Sequence, residues 1–182
     1  MLRSRIAASA LLAALCLPLA ACTSPETPGP LLGAAGPQAE SAARAVPEAL
    51  RFAAKTVDGS AFDATALAGK PVLLWFYGAT CAECPAQALE TAALADRHLG
   101  RVHVVAVAGP GAGTGLQGFA APAAGGSLTH LADARHALRD RFRAEGVNTY
   151  VLLDEDGEDI YRGSGADTWS LDRELTALVG EG

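Results

Sequence analysis

The sequence predicts an α/β domain in which helices pack on a mixed central β-sheet, with a β-hairpin at its N-terminal end. Three observations lead there. Near-continuous apolar runs at residues 72–77 (VLLWFY), 101–108 (RVHVVAVA) and 149–153 (TYVLL) have the length and the β-branched or aromatic content of strands covered on both faces. Stretches of helical pattern stand between and after these runs, at 81–99, 134–145 and 169–179. Turn residues at Asp58-Gly59 and at Asp154-Glu155-Asp156-Gly157 fold short extended segments into hairpins. Strands alternating with helices, then a hairpin and a last helix, assemble most simply as a sandwich around one sheet.

At the N-terminus, Arg3 and Arg5 precede an apolar stretch at 6–20 that is too short to span a bilayer as an ordinary helix, the pattern of an export segment. A plain secretory cleavage site is loosely present. Leu19-Ala20-Ala21-Cys22 also resembles the bacterial lipoprotein signal, which implies removal of residues 1–21 and acylation of Cys22. Residues 22–46 are rich in Pro, Gly, Ala and Ser without an apolar period, a flexible linker that would hold the domain roughly 25–30 Å from its anchor. The folded domain is then 47–182.

Within it, 49–57 and 60–62 read as the strands of the entry hairpin, and Gly69-Lys70-Pro71 leads into the strand at 72–77. The helix that follows runs to about Leu99 and is closed by Gly100, with Pro85 tolerated in its first turns. After the strand at 101–108 come a glycine-rich loop at 109–118, a short helix at 116–124, a strand at 128–132 and a helix at 134–145. The strand at 149–153 turns back through 154–157 into a strand ending near Arg162. The last helix places Leu171, Leu175, Leu178 and Val179 on one side, and Trp169 is assigned to the core and its cap.

The chemistry is concentrated in Cys81-Ala82-Glu83-Cys84, where the strand at 72–77 hands over to a helix. A helix N-terminus stabilises a thiolate, the form of cysteine that attacks disulfides, and a second cysteine about one turn on can resolve the mixed disulfide that results. The same spacing serves a structural staple or a metal site. A staple is the poorest use, because the chain-entropy formula gives a four-residue loop only about 2 kcal/mol. Context, more than the motif alone, favours redox chemistry, with Cys81 as nucleophile and Cys84 as the resolving thiol, and a metal site is the alternative.

Charge narrows the partners. Without Arg3 and Arg5 the chain keeps 12 basic residues against 20 acidic ones, a formal charge of −8, which repels nucleic acid and anionic headgroups. Acyl chains would supply the membrane contact. With Cys16 removed in the signal and Cys22 acylated, Cys81 and Cys84 are the remaining thiols, in a compartment that permits disulfides.

Val57-Asp58-Gly59, Gly69-Lys70-Pro71 with its strand, Trp75-Phe76-Tyr77-Gly78-Ala79-Thr80-Cys81-Ala82-Glu83-Cys84, the strand ending in Asp133 and the hairpin at 151–157 together resemble the thioredoxin-like fold. The likeness is closest to its exported TlpA, ResA and DsbE-like thiol–disulfide oxidoreductases and covers 46–182. It implies a three-layer sandwich, a redox-active Cys81–Cys84 disulfide and no cofactor. Exported proteins bearing thiols or disulfides would be its substrates, and a membrane redox partner would reset the pair on the extracytoplasmic face of the cell membrane. The motif neighbours Thr80, Ala82, Glu83 and Pro85 would tune the pair, and Val147, Asn148 and Thr149 would face the substrate.

Three positions depart from the family. Asn148 stands where the loop facing the cysteines usually has proline, so a trans peptide and an altered loop are expected, because a cis bond before another residue costs about 3–4 kcal/mol. Thr80 replaces a common tryptophan. Trp75 occupies the position of thioredoxin's buried acid, leaving Glu83 as the acid within the motif, where its charge opposes a Cys81 thiolate.

Two other function classes fit the same fold. Sco-like copper proteins resemble the Phe76–Pro85 region and add a distant histidine ligand, for which His98, His103, His130 and His136 are the candidates; no metal ligand is assigned among them. A non-catalytic binding module is the other. The G-x-G-x-x-G at 113–118 is not a dinucleotide site, since four residues separate it from the strand and Pro122 interrupts the helix behind it. Peroxiredoxin spacing fits neither cysteine, and Asp154, Asp156 and Glu158 are too few for a calcium loop.

Overall fold

A computed structural model describes residues 45–112, 128–165 and 167–180. The export segment, Cys22, nearly all of the linker, the G-x-G-x-x-G motif and the 116–124 helix lie outside the described residues.

The entry hairpin pairs β1 (Ala53–Lys55) with β2 (Ala61–Asp63) as a separate antiparallel ladder, turning at Gly59, whose φ of 89° suits glycine. Its first strand is shorter than expected because Glu48–Leu50 forms a 3-10 turn that buries Leu50. The central sheet contains β3 (Val72–Tyr77), β4 (His103–Ala108), β5 (Thr129–Ala132), β6 (Thr149–Leu153) and β7 (Asp159–Ser164) in the order β5-β4-β3-β6-β7. β3 is central: parallel to β4 on one side and antiparallel to β6 on the other.

All six β3 residues are buried, so the unbroken apolar run is explained by cover on both faces. On one face Leu73, Trp75 and Tyr77 meet helix α1 (Cys84–Arg97) and the C-terminal helix, numbered α3 below. On the other, Val72, Leu74 and Phe76 pack with Leu50, Leu67, Leu131, Leu138, Phe142, Val151 and Leu153. Burying each such side chain contributes roughly 1.5–3 kcal/mol. This is the three-layer thioredoxin-like sandwich that the resemblance implied.

Three expectations are corrected. The helix placed at 134–145 contracts to α2 (Ala137–Arg141). Asp133 takes the backbone N–H groups of Leu138 and Arg139 on its two carboxylate oxygens at 3.0 and 2.9 Å, and left-handed His136 and Arg143 bound the helix on either side. The helix with the cysteines begins at Cys84, not Cys81. Trp169, expected in the core, is 72% exposed on α3 (Thr168–Val179) with the Arg173 guanidinium 4.9 Å over its ring. The side of α3 chosen from its leucines is right: Leu171 and Leu175 are fully buried and Leu178 and Val179 pack beside them.

Candidate functional site

The cysteine pair lies just past the C-terminal end of β3. Gly78, Ala79 and Thr80 turn the chain, Cys81 donates its N–H to the Gly78 carbonyl at 3.3 Å, and Glu83 stands at the helix cap. Pro85 takes an early helical position, where the missing N–H costs nothing. Cys81 and Cys84 form a disulfide with their Cα atoms 5.4 Å apart. Their surroundings differ: Cys81 is half-buried in the turn, whereas Cys84, at the start of α1, is 4% exposed and faces the core. Thr80, Ala82, Glu83 and Pro85 are exposed around Cys81.

Glu83 Oε2 lies 3.9 Å from Cys81 Sγ. In the disulfide there is no thiol proton to share, so this is a contact. Once the pair is reduced, that carboxylate opposes a Cys81 thiolate while the open end of α1 favours it.

Two loops flank the turn. The segment after β4 bonds back to β3 through Gly109 N–H and the Tyr77 carbonyl at 2.8 Å, and a Cβ at Gly111 would sit 3.5 Å from Ala79. From the other side, Val147 Cγ1 comes within 3.0 Å of where a Cβ on Gly78 would be, so that glycine makes room for Val147. Val147 is itself exposed, and Thr149 opens β6 with its hydroxyl on the Glu145 carbonyl at 2.5 Å. The structure thus sets Val147 against the cysteine turn at Gly78, while the Asn148 side chain reaches Trp75 and Thr149 pairs with Phe76 in the ladder.

Beneath the disulfide is a buried polar network that inspection of the sequence missed. The Trp75 indole N–H donates to Asn148 Oδ1 at 2.9 Å, and the indole stacks on Tyr77 at 4.6 Å. The Tyr77 hydroxyl meets His130 Nδ1 at 2.9 Å. Burial pushes the Tyr77 phenol far up and the His130 imidazole down, so both are neutral at pH 7. Tyr150, opposite Trp75 in the ladder, accepts from Gln87 Nε2 at 2.9 Å and bonds Thr91 at 2.5 Å; burial pushes its phenol up to about 12. A signal was present: Trp75 and Tyr77 alternate onto one strand face, and Gln87 and Thr91 are one turn apart on the helix.

The histidines do not converge on the cysteines. His98 binds Asp172 on α3 at 2.9 Å, His103 begins β4, His130 meets Tyr77, and His136 is exposed. Among the described residues no group of three or more His, Cys, Asp or Glu side chains gathers as a metal site.

Comparison with known proteins agrees with this architecture. The family model for redoxin matches residues 38–178. The soluble secreted antigen MPT53 of Mycobacterium tuberculosis and of Mycobacterium bovis is 31% identical over 119 residues, 64% of this chain and 66% of the relative, so the chain spans just under two thirds of these curated relatives. Among solved structures, Mycobacterium tuberculosis DsbF, solved in mixed oxidised and reduced forms, superposes with a TM-score of 0.64 at 33% identity, covering 73% of this chain and 98% of that one. A secreted Mycobacterium tuberculosis disulfide oxidoreductase homologous to Escherichia coli DsbE gives 0.62 at 27% identity, covering 72% and 98%.

Proposed function

The chain belongs to the redoxin family, and from that membership and the geometry of its cysteine pair we propose that it is a thiol–disulfide oxidoreductase working on exported proteins through Cys81 and Cys84. One observation carries this reading: a half-buried cysteine that still reaches the surface, bonded to a buried one at the open end of a helix. Accessibility on one side and shelter on the other divide attack from resolution.

In the reducing direction, the Cys81 thiolate attacks one sulfur of a substrate disulfide. A bond forms to that sulfur, the substrate S–S bond breaks, and the other substrate sulfur leaves as a thiolate that takes a proton. Cys84, deprotonated, then attacks Cys81 Sγ and expels the second substrate sulfur. The substrate has gained two electrons, the pair has become the disulfide seen here, and a dithiol donor in the membrane restores it. Run backwards, the same steps oxidise a substrate dithiol.

The Leu19-Ala20-Ala21-Cys22 sequence supports an acylated N-terminus, with the domain held outside the cytoplasmic membrane by lipid and by the 22–46 linker. Relatives described as secreted support export. A Cys22→Ser variant should leave the membrane fraction; if it stays there undiminished, the anchor assignment fails.

The central test is reduction of insulin disulfides by the purified protein with a dithiol donor. Cys81→Ser should abolish it, and Cys84→Ser should trap a mixed disulfide with the natural partner. Full function of Cys81→Ser in the cell would instead identify a non-catalytic binding module.

A further inference from the structure

Two of the three departures from the family pattern touch each other. Trp75 replaces a buried acid and Asn148 replaces a proline, 73 residues apart in sequence, yet the indole N–H of one donates to the side-chain oxygen of the other at 2.9 Å. Neither substitution predicts the other from sequence. In the structure they make one bond in the layer that also buries Cys84.

The surroundings of Asn148 are shaped for that bond. Its backbone is left-handed, φ 59°, a conformation that asparagine tolerates better than most residues. Its carbonyl accepts from Gly165 N–H at 2.6 Å, and a Cβ on Gly165 would overlap the Asn148 carboxamide, so the glycine leaves the space that the side chain fills. The next residue back is Val147, which lies exposed against Gly78 at the foot of the cysteine turn. The rest of this loop is tied to peripheral groups: Arg139 to the Gly146 carbonyl, and the Thr149 hydroxyl to the Glu145 carbonyl. The Asn148 carboxamide alone, among these ties, reaches the core beneath the disulfide.

We propose that Asn148 is a positioning residue for the partner polypeptide: the Trp75–Asn148 bond fixes the 145–148 loop so that Val147 and its backbone stand against Gly78 at the foot of the cysteine turn, where they would meet a chain engaged at Cys81. A proline achieves rigidity by restricting its own φ. Here rigidity comes from a side-chain bond into the sheet, and the loop remains dependent on a residue in β3. This inference rests on the oxidoreductase reading and adds which residue sets docking of the substrate.

The test is steady-state reduction of insulin by the full protein and its variants. Asn148→Gly keeps the left-handed backbone accessible but removes the acceptor; KM for insulin should rise about fivefold to tenfold with a smaller change in kcat. Asn148→Asp, which keeps an acceptor oxygen and tolerates the same backbone, should recover most of the loss. Trp75→Phe removes the donor and should raise KM similarly, with no further rise in the Trp75→Phe, Asn148→Gly double variant, because both delete one bond. In a Trp169→Phe background Trp75 is the sole tryptophan, and its emission maximum should shift in Asn148→Gly and return in Asn148→Asp. Unchanged KM in Asn148→Gly, or equal impairment of the Gly and Asp variants, would overturn the inference while leaving the oxidoreductase reading intact. Absence of turnover by the parent protein would sink that reading and this inference with it.

Discussion

The two faces of β3 are equally buried and differently built. Leu74, Phe76, Val105, Leu131, Val151 and Leu153 make a cluster on one face from aliphatic and phenyl side chains alone. On the face that carries Cys84, leucines such as Leu73, Leu94 and Leu152 are joined by three aromatic side chains with polar tips, Trp75, Tyr77 and Tyr150, whose hydrogen bonds run to Asn148, His130, Gln87 and Thr91. Apolar packing is nondirectional and tolerates small displacements, whereas a hydrogen bond loses strength steeply with misalignment. Both faces contribute apolar burial; the polar-tipped groups on the Cys84 face in addition fix where the elements around the disulfide sit.

If this division is right, the largest stability loss lies away from the cysteines. Leu74→Ala should cost about 3–4 kcal/mol in urea unfolding, with insulin reduction by the folded fraction little changed. Tyr150→Phe, which deprives Gln87 and Thr91 of their shared partner but keeps the ring, should cost about 1–2 kcal/mol. A loss in Tyr150→Phe as large as in Leu74→Ala would erase the distinction between the faces.

A further contrast is in pH response. Burial lowers the His130 pKa from its ordinary 6.5, so the unfolded chain binds a proton that the folded one resists. The associated stability is complete above about pH 6.5 and declines as pH falls through the depressed value. Urea midpoints should therefore drop between about pH 7 and pH 5, and a His130→Gln variant should show a shallower drop; an identical slope would remove His130 as the cause.

The smallest effect is expected where α1 meets α3. Burial raises the Asp172 pKa, but hydrogen bonds from His98 and Arg97 outweigh it and hold the carboxyl below its ordinary 3.8. Its contribution is present above about pH 4 and disappears as pH falls through the lowered value. Because the carboxylate is one third exposed, Asp172→Asn should cost no more than about 1 kcal/mol at pH 7 and flatten acid unfolding below pH 4.

Much of this could be read in the chain before any coordinates. β6 spans the residues expected of it, β3 is buried throughout, and the apolar stripe of the last helix points inward. These rest on strong local periodicity. The failures have local causes that periodicity does not register. The segment at 134–145 has helical composition, yet the Asp133 carboxylate holds two backbone N–H groups that an earlier helix start would place elsewhere. Trp169, expected in the core and its cap, lies on the outer side of α3, where an arginine covers its ring. At the site, the cysteines and their division into nucleophile and resolving thiol are legible in the sequence; their difference in burial is not.

The sequence by itself determined the α/β order of elements, the central strand and the paired sulfurs at its end, because strand burial, turn chemistry and a three-residue spacing are properties of neighbours along the chain. Only the tertiary structure decided that Cys84 is sheltered while Cys81 is half open, that His130 meets Tyr77, and that Trp75 bonds Asn148. Those pairings depend on which strands lie side by side and which face each residue turns toward α1, and a hydrogen bond between residues 73 apart leaves no pattern in the letters between them.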